Sequence, residues 1–361
     1  MRLKLWMILP VVLGLFFAAS AASMTVTDMA GRTVDIAAQP QRLVCVGPGA
    51  MRLIVYLKAQ DMLVGVEGME KQHPTGRPYW IAQPQLKALP VIGPGGAGAI
   101  NKKPDMEAIL RVAPDLIVAT YMEAAVADEV SNTLNIPVLV LSYGELAVFD
   151  RMVYDSLRLA GKVLNRQARA DAVVDFIQGI RKDLHRRTAD MADQTKPTVY
   201  VGGIGYRGTH GIESTQRDYI PLDWNHAVNA AQRVKATVGS HVLMDKEVLL
   251  SLNPEVIFID SAGLALVKED YRRKPDFYRS LSAVKTKRVY TLFPFNYYTT
   301  NIDTAMADAY AIGKILFSDR FADVDLAKKA DEIYTFLVGR PVYAAMQADF
   351  GRLGEAVAFI E

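Results

Sequence analysis

Two stretches of the 361-residue chain carry the same alternation of polar and apolar positions. "KPDMEAILRVAPDLIVAT" (103–120) and "LMDKEVLLSLNPEVIFID" (243–260) match acid for acid, apolar for apolar and proline for proline when Asp105 is set on Asp245. In the first, Met106, Ile109, Leu110 and Ala113 fall on one helical face; Leu249, Leu250 and Leu252 do so in the second. Pro114 and Pro254 stop the helices, and the apolar runs that follow read as strands buried on both faces of a parallel sheet. Each copy is half of a β-α-β unit. Upstream, "RLVCVGPG" (42–49) and "PTVYVGGIG" (197–205) are a second corresponding pair, short β-branched runs that end in glycine-rich loops. "MLVGVE", "IPVLVLSY" and "RVYTLF" supply further strands.

Between the halves, Leu157, Leu164, Val173, Val174, Ile177, Ile180 and Leu184 keep helical spacing from Phe149 to Met191 without a proline. This predicts one long crossover helix joining the halves stiffly. The fold class expected is α/β, with two lobes built on mostly parallel central sheets, one long connecting α-helix and a ligand cleft between the lobes. The expected boundaries are a first lobe over 24–148, the helix over 149–192 and a second lobe over 193–361, closed by C-terminal helices.

Composition changes the picture at the N-terminus. Arg2 and Lys4 precede the apolar run Leu5 to Phe17, then a small-residue stretch containing Ala19-Ser20-Ala21. That is the pattern of a cleavable secretory signal over residues 1–23, and the run is short for a membrane span. The periplasm is the expected location. The formal charge of +2 falls to zero once Arg2 and Lys4 are gone, which leaves no basic excess to meet the phosphates of nucleic acid. Cys45, the single cysteine, sits in an apolar run and reads as a buried strand residue.

Asp105 and Asp245 are good N-caps, and Glu107 and Glu247 fall in the first turn, at the positive end of the helix dipole. Capping alone accounts for acids on one helix; their repetition on two lobes asks for more. With "TDMAGRTVDIAAQPQRLVCVGPGA", "LPVIG" and the two duplicated stretches, the mature chain resembles the periplasmic substrate-binding proteins of ABC importers for iron–siderophore, haem and cobalamin cargo. The resemblance implies two α/β lobes, a rigid connecting helix, no catalysis, no cofactor and a monomer. It also implies that Glu107 and Glu247 dock into arginine pockets on the two permease subunits. Two spaced, charge-assisted contacts would fix orientation and add avidity.

Ligands of open α/β sheets bind beyond the carboxyl ends of the strands. The loops expected there hold Tyr79, Tyr121, Tyr143, Tyr206, Tyr297 and Tyr298, with Arg52, Arg77, Arg207 and Asn296. Together they predict an aromatic, cationic cleft suited to a flat anionic metal chelate, with arginines forked onto oxygens and rings packed on the organic part. The candidate ligand-binding residues are Arg52, Tyr121, Tyr143, Tyr206, Arg207, His210, Asn296, Tyr297 and Tyr298. His210 and His73 are the residues a bare-metal or haem binder would use. Two GxGxxG strings (93–98 and 203–208) open into no apolar helix, so a nucleotide site is not expected. Ser214, Asp223 and His226 lack a nucleophile elbow, which counts against an exported hydrolase. The function expected is capture of an iron chelate for an inner-membrane ABC importer. Haem, cobalamin or a bare metal ion is the alternative cargo, and an exported two-lobed enzyme is the rival from another class.

Overall fold

The computed structural model describes residues 23–36, 39–144, 151–206, 208–235 and 240–357. The 1–23 signal reading therefore lies outside the described residues, except for its last position. The chain enters through an antiparallel hairpin, β1 (Met24–Thr27) and β2 (Thr33–Ile36). It then builds β3 (Leu43–Val46), β4 (Leu63–Gly65), β5 (Leu116–Thr120) and β6 (Val138–Leu141), all parallel, in the order β4-β3-β5-β6. The second half supplies β7 (Thr198–Gly202), β8 (Ser214–Gln216), β9 (Val228–Asn229), β10 (His241–Leu243), β11 (Val256–Asp260) and β12 (Val289–Leu292). Here β8 and β10 form a separate antiparallel pair, and the parallel sheet runs β12-β11-β7-β9. Numbered along the chain within each sheet, both follow the order 2-1-3-4. The duplication read from the sequence thus extends to strand connectivity.

All five positions of β5 and of β11 are buried, because helices cover both faces of each sheet. Alternate residues serve different cores. Leu116 and Val118, like Val256 and Phe258, face a core shared by the two lobes, whereas Ile117 and Ala119, and Ile257 and Ile259, face cores private to each. The shared core also takes in Val173, Ile177 and Leu184 of the crossover and Met306, Tyr310 and Leu337 from the C-terminal helices. Each such side chain stabilises by about 1.5–3 kcal/mol when fully buried. Parting the lobes would expose this common apolar face.

The connection is not one helix. Residues Arg151–Val163 and Gln167–Thr188 form two helices packed side by side, and positions 149 and 150 lie outside the described residues. Asn165 turns left-handed (φ 54°), Arg166 N–H bonds the Gly161 carbonyl and Asn165 N–H bonds that of Lys162. This is a Schellman stop, which an asparagine in the left-handed position permits and which apolar spacing alone does not reveal. The true crossover is the 22-residue Gln167–Thr188 helix.

The C-terminal helices also depart from expectation. Ile302–Leu316 packs against Leu326–Val338, and the latter returns to lie on Ala50–Tyr56 and Pro78–Ala82 of the first lobe. Among the described residues, no helix is long and apolar enough to cross a membrane.

Candidate functional site

In a 2-1-3-4 sheet the chain leaves in opposite directions after strands 1 and 3, and a crevice opens beyond their carboxyl ends. The two crevices of this molecule face each other. Gly47 after β3 and Gly203 after β7 both take positive φ (89° and 78°). A Cβ on Gly47 would lie 2.5 Å from the Thr120 carbonyl oxygen, and one on Gly203 would lie 3.2 Å from that of Asp260. The loops thereby fold closely over the ends of β5 and β11. Between them lies a cavity of about 480 Å³. The first lobe lines it with Pro48, Met69, His73, Ala97, Ile100 and Tyr121; the second contributes Tyr206, Thr209, Asp260, Ala262 and the loop from Pro294 to Thr299.

That loop forms the floor, and it is fastened to the other lobe. Arg52, fully buried in the Ala50–Tyr56 helix, donates to the carbonyls of Tyr297 (3.2 Å), Tyr298 (3.1 Å), Thr299 (3.4 Å) and Thr300 (3.0 Å). It also donates to Asn301 Oδ1 (3.0 Å) and to the Tyr143 hydroxyl (3.3 Å). Tyr143 in turn donates to the Gly49 carbonyl at 3.0 Å. On the other side of the loop, Tyr298 donates its hydroxyl proton to Glu67 and accepts the Gly96 N–H at 3.0 Å. Tyr121, Tyr298 and Thr299 all hold left-handed backbone (φ 53°, 55° and 60°), and the Tyr121 and Thr299 hydroxyls meet at 2.8 Å. For a β-branched threonine such a conformation is an outlier that only surrounding structure maintains, and such outliers gather at ligand sites.

The electrostatics are those of buried acids and neutral donors. Among the described residues, no Arg or Lys lines the cavity. Burial pushes the Glu67 carboxyl up to about 7, against the Tyr298 and Gly47 bonds that hold it down. Burial likewise lifts Asp260 to about 7, opposed by the Ala262 N–H. Tyr121 and Tyr298 are raised, chiefly by burial, so their phenols remain protonated donors.

The structure brings Tyr121, Tyr206, Asn296, Tyr297 and Tyr298 to one wall system, with His73 opposite. Arg52 and Tyr143, expected in the cleft, lie behind it with no exposure, because the helix that begins just after Gly49 carries Arg52 under the loop. Arg77 and Tyr79 are likewise buried, on Glu70. His210 does not line the cavity; its Nε2–H donates to the Tyr206 carbonyl at 2.7 Å. Arg207 lies outside the described residues. The expected cationic cleft is, in its described part, an aromatic one. Sequence reasoning passed over Asp260 and Glu67. The available signal was an acid at the end of a wholly apolar strand, at the position where its copy has Thr120.

The paired helices carry Glu107 and Glu247 in their first turns, both exposed and in no ion pair among the described residues. Leu110 and Leu250, counted above on the apolar faces, are exposed beside them, while Ile109 and Leu249 are buried.

Two duplicated parallel sheets enclosing one cavity define a two-lobed substrate-binding protein. The chain belongs to the periplasmic binding protein family, whose pattern matches residues 43–294. It is 26% identical over 356 residues to the molybdate-binding protein MolA of Haemophilus influenzae, covering 92% of this chain and 96% of that protein. It is also 24% identical over 275 residues to YvrC of Bacillus subtilis, an uncharacterised ABC transporter substrate-binding lipoprotein, covering 75% and 78% of the two chains. The structure of molybdate-bound MolA shares the fold with a TM-score of 0.69 at 21% identity, over 88% of this chain and 98% of that one. A periplasmic solute-binding protein from Veillonella parvula gives 0.71 at 19% identity, over 91% and 97%.

Proposed function

We propose that this ABC-transporter substrate-binding protein captures a compact metal chelate of the iron–siderophore kind. It is exported through its 1–23 segment, works as a monomer in the periplasm and delivers its cargo to an inner-membrane permease docked at Glu107 and Glu247. The observation that carries the reading is the cavity wall: Tyr121, Tyr206, Tyr297 and Tyr298 line it and give it the aromatic surface on which an organic ligand packs. Asn296 is held by its bond to the Gly205 carbonyl (2.9 Å) and completes the polar set. Binding needs no cofactor and no bond-making step.

A bare oxyanion such as molybdate is the second reading, favoured by the relationship to MolA. Volume separates the two. A tetrahedral oxyanion has only five heavy atoms, whereas a cavity of about 480 Å³ falls within the roughly 300–1,000 Å³ range of pockets that enclose larger organic ligands.

The test is titration of the purified mature protein, read by tryptophan fluorescence and calorimetry. The panel is ferric catecholate and hydroxamate chelates, haem, cobalamin, molybdate and free metal ions. Submicromolar binding of one ferric chelate alone supports the first reading; molybdate alone replaces it with the second. In a reconstituted transporter, Glu107→Lys and Glu247→Lys should abolish stimulation of ATP hydrolysis and leave ligand affinity intact. Unchanged stimulation would remove the docking assignment.

A further inference from the structure

Asp260 is the one carboxyl among the described cavity-lining residues, and it is 3% exposed. Its Oδ1 accepts the Ala262 N–H at 2.9 Å, and it forms no ion pair among the described residues. In register it pairs with Leu292, and the next residue, Phe293, donates its N–H to Asp308 Oδ1 at 3.0 Å. Adjacent strands lie about 4.8 Å apart, and Asp308 feels the Asp260 charge, so the two carboxyls share one buried region beside the cavity. Asp308 is fully buried, and its Oδ2 has no partner. Tyr219, 1% exposed and electrostatically coupled to both acids, also has an unpartnered hydroxyl. Among the described residues, no group of three or more His, Cys, Asp or Glu gathers here as a metal ion would require.

Two buried carboxyls in one region cannot both ionise without a cation. Asp308 comes from the Ile302–Leu316 helix and Tyr219 from the segment before Ile220–Asp223, each near enough to feel the Asp260 charge. The titratable groups that line the cavity with Asp260 are the phenols of Tyr121, Tyr206, Tyr297 and Tyr298 and the His73 imidazole; His210, on the loop packed against Gly263, turns its ring to the Tyr206 carbonyl. No described group supplies positive charge from beneath. A ligand oxygen reaching the floor therefore meets a carboxyl that favours its neutral, donating form.

We infer that Asp260 is the polar anchor of the bound ligand and enters the complex protonated, donating a hydrogen bond to a ligand oxygen, so that capture takes up a proton. The inference rests on the anionic-ligand reading above, whether chelate or oxyanion. It makes Asp260 a specificity determinant. Anionic cargo is accepted with its proton; cationic cargo would need the carboxylate and would release one. Burial already holds Asp260 near neutrality in the empty cavity, so the linkage acts across the ordinary pH range.

The experiment has two arms. Without ligand, carboxyl carbon NMR of the wild-type protein, with Asp260→Asn to assign the signal, should show Asp260 titrating near pH 7. Titration below pH 5 overturns the inference. With ligand, dissociation constants for a ferric catecholate, a ferric hydroxamate and molybdate are measured from pH 5.5 to 8.5, in two buffers of different ionisation enthalpy. For whichever probe binds, affinity should weaken up to tenfold per pH unit above pH 7, with about one proton taken up. The Asp260→Asn protein, which keeps a donor and cannot ionise, should bind independently of pH. A probe that binds equally at all pH values, or more tightly as pH rises, overturns the anchor and leaves the transport reading standing. Failure of every probe overturns both.

Discussion

Residues 105–120 and 245–260 trace the same path in the two lobes, from aspartate cap through a seven-residue helix and a left-handed turn to a five-residue buried strand. They part company where they reach the cavity. Thr120 ends the first strand and spends its hydroxyl on the Pro48 carbonyl at 2.7 Å, closing its crevice with a neutral, satisfied group. Asp260 ends the second and leaves a buried acid lining the cavity. The buried charges also differ: the first lobe holds both signs, Arg52 and Arg77 with Glu67 and Glu70, whereas Asp260 and Asp308 of the second are acids without an ion-pair partner among the described residues. The two halves share a scaffold and differ in what their strand ends present to the cavity.

Removing Arg52, the buried cation that ties the first lobe to the 297–301 loop, should have the largest effect. Arg52→Met strands four carbonyls and Asn301, and it should lower unfolding free energy by about 3–5 kcal/mol in denaturant titration and weaken ligand binding as the floor relaxes. Copying the second lobe into the first comes next. Thr120→Asp places an acid where Gly47 leaves no space, and it should cost about 3 kcal/mol by the same measurement. Equal stability would mean that the two strand ends are interchangeable.

The pH dependence tests the acid side. The folded state keeps the Asp260 and Glu67 protons up to about pH 7, while an unfolded carboxyl releases its proton near its ordinary value. Between those points the folded state binds more protons, so stability should fall as pH rises from 5 to 8, by on the order of 2 kcal/mol or more. Asp260→Asn should flatten part of that slope in thermal melts. The smallest difference lies at the caps. Asp105 accepts the Ala108 N–H at 2.9 Å, whereas Asp245 makes no side-chain cap bond. Asp105→Ala should therefore cost about 1 kcal/mol and Asp245→Ala less than half of that.

Much of the architecture was legible because it is local and repeated. Runs such as "DLIVAT" and "EVIFID" announce strands covered on both faces, and prolines mark where each helix must already have ended. The break at Asn165 was hidden because apolar spacing continues through it, and a two-bond stop is written in backbone conformation rather than in hydrophobicity. Loops expected from the sequence supply most of the described cavity lining, but side-chain direction was not legible. Tyr297 and Tyr298 line the wall, yet Arg52, equally close to a glycine loop, turns inward, because a helix begins between it and the ligand. Asp260 was passed over since a strand's last residue reads as its boundary, and only the facing lobe makes it a floor.

The tether from Arg52 and Glu67 to the 296–301 loop has a kinetic meaning. A carrier whose floor is sewn to the opposite lobe has an aperture that is present before the cargo arrives. Encounter then waits on no movement of the lobes, and discrimination between cargoes falls on how long each one stays. The cargo leaves through the same aperture by which it enters, so spontaneous release keeps the seam intact. A partner that unloaded the protein by parting its lobes would first have to break the bonds made by Arg52 and Glu67, so the same stitches set the work that forced delivery requires.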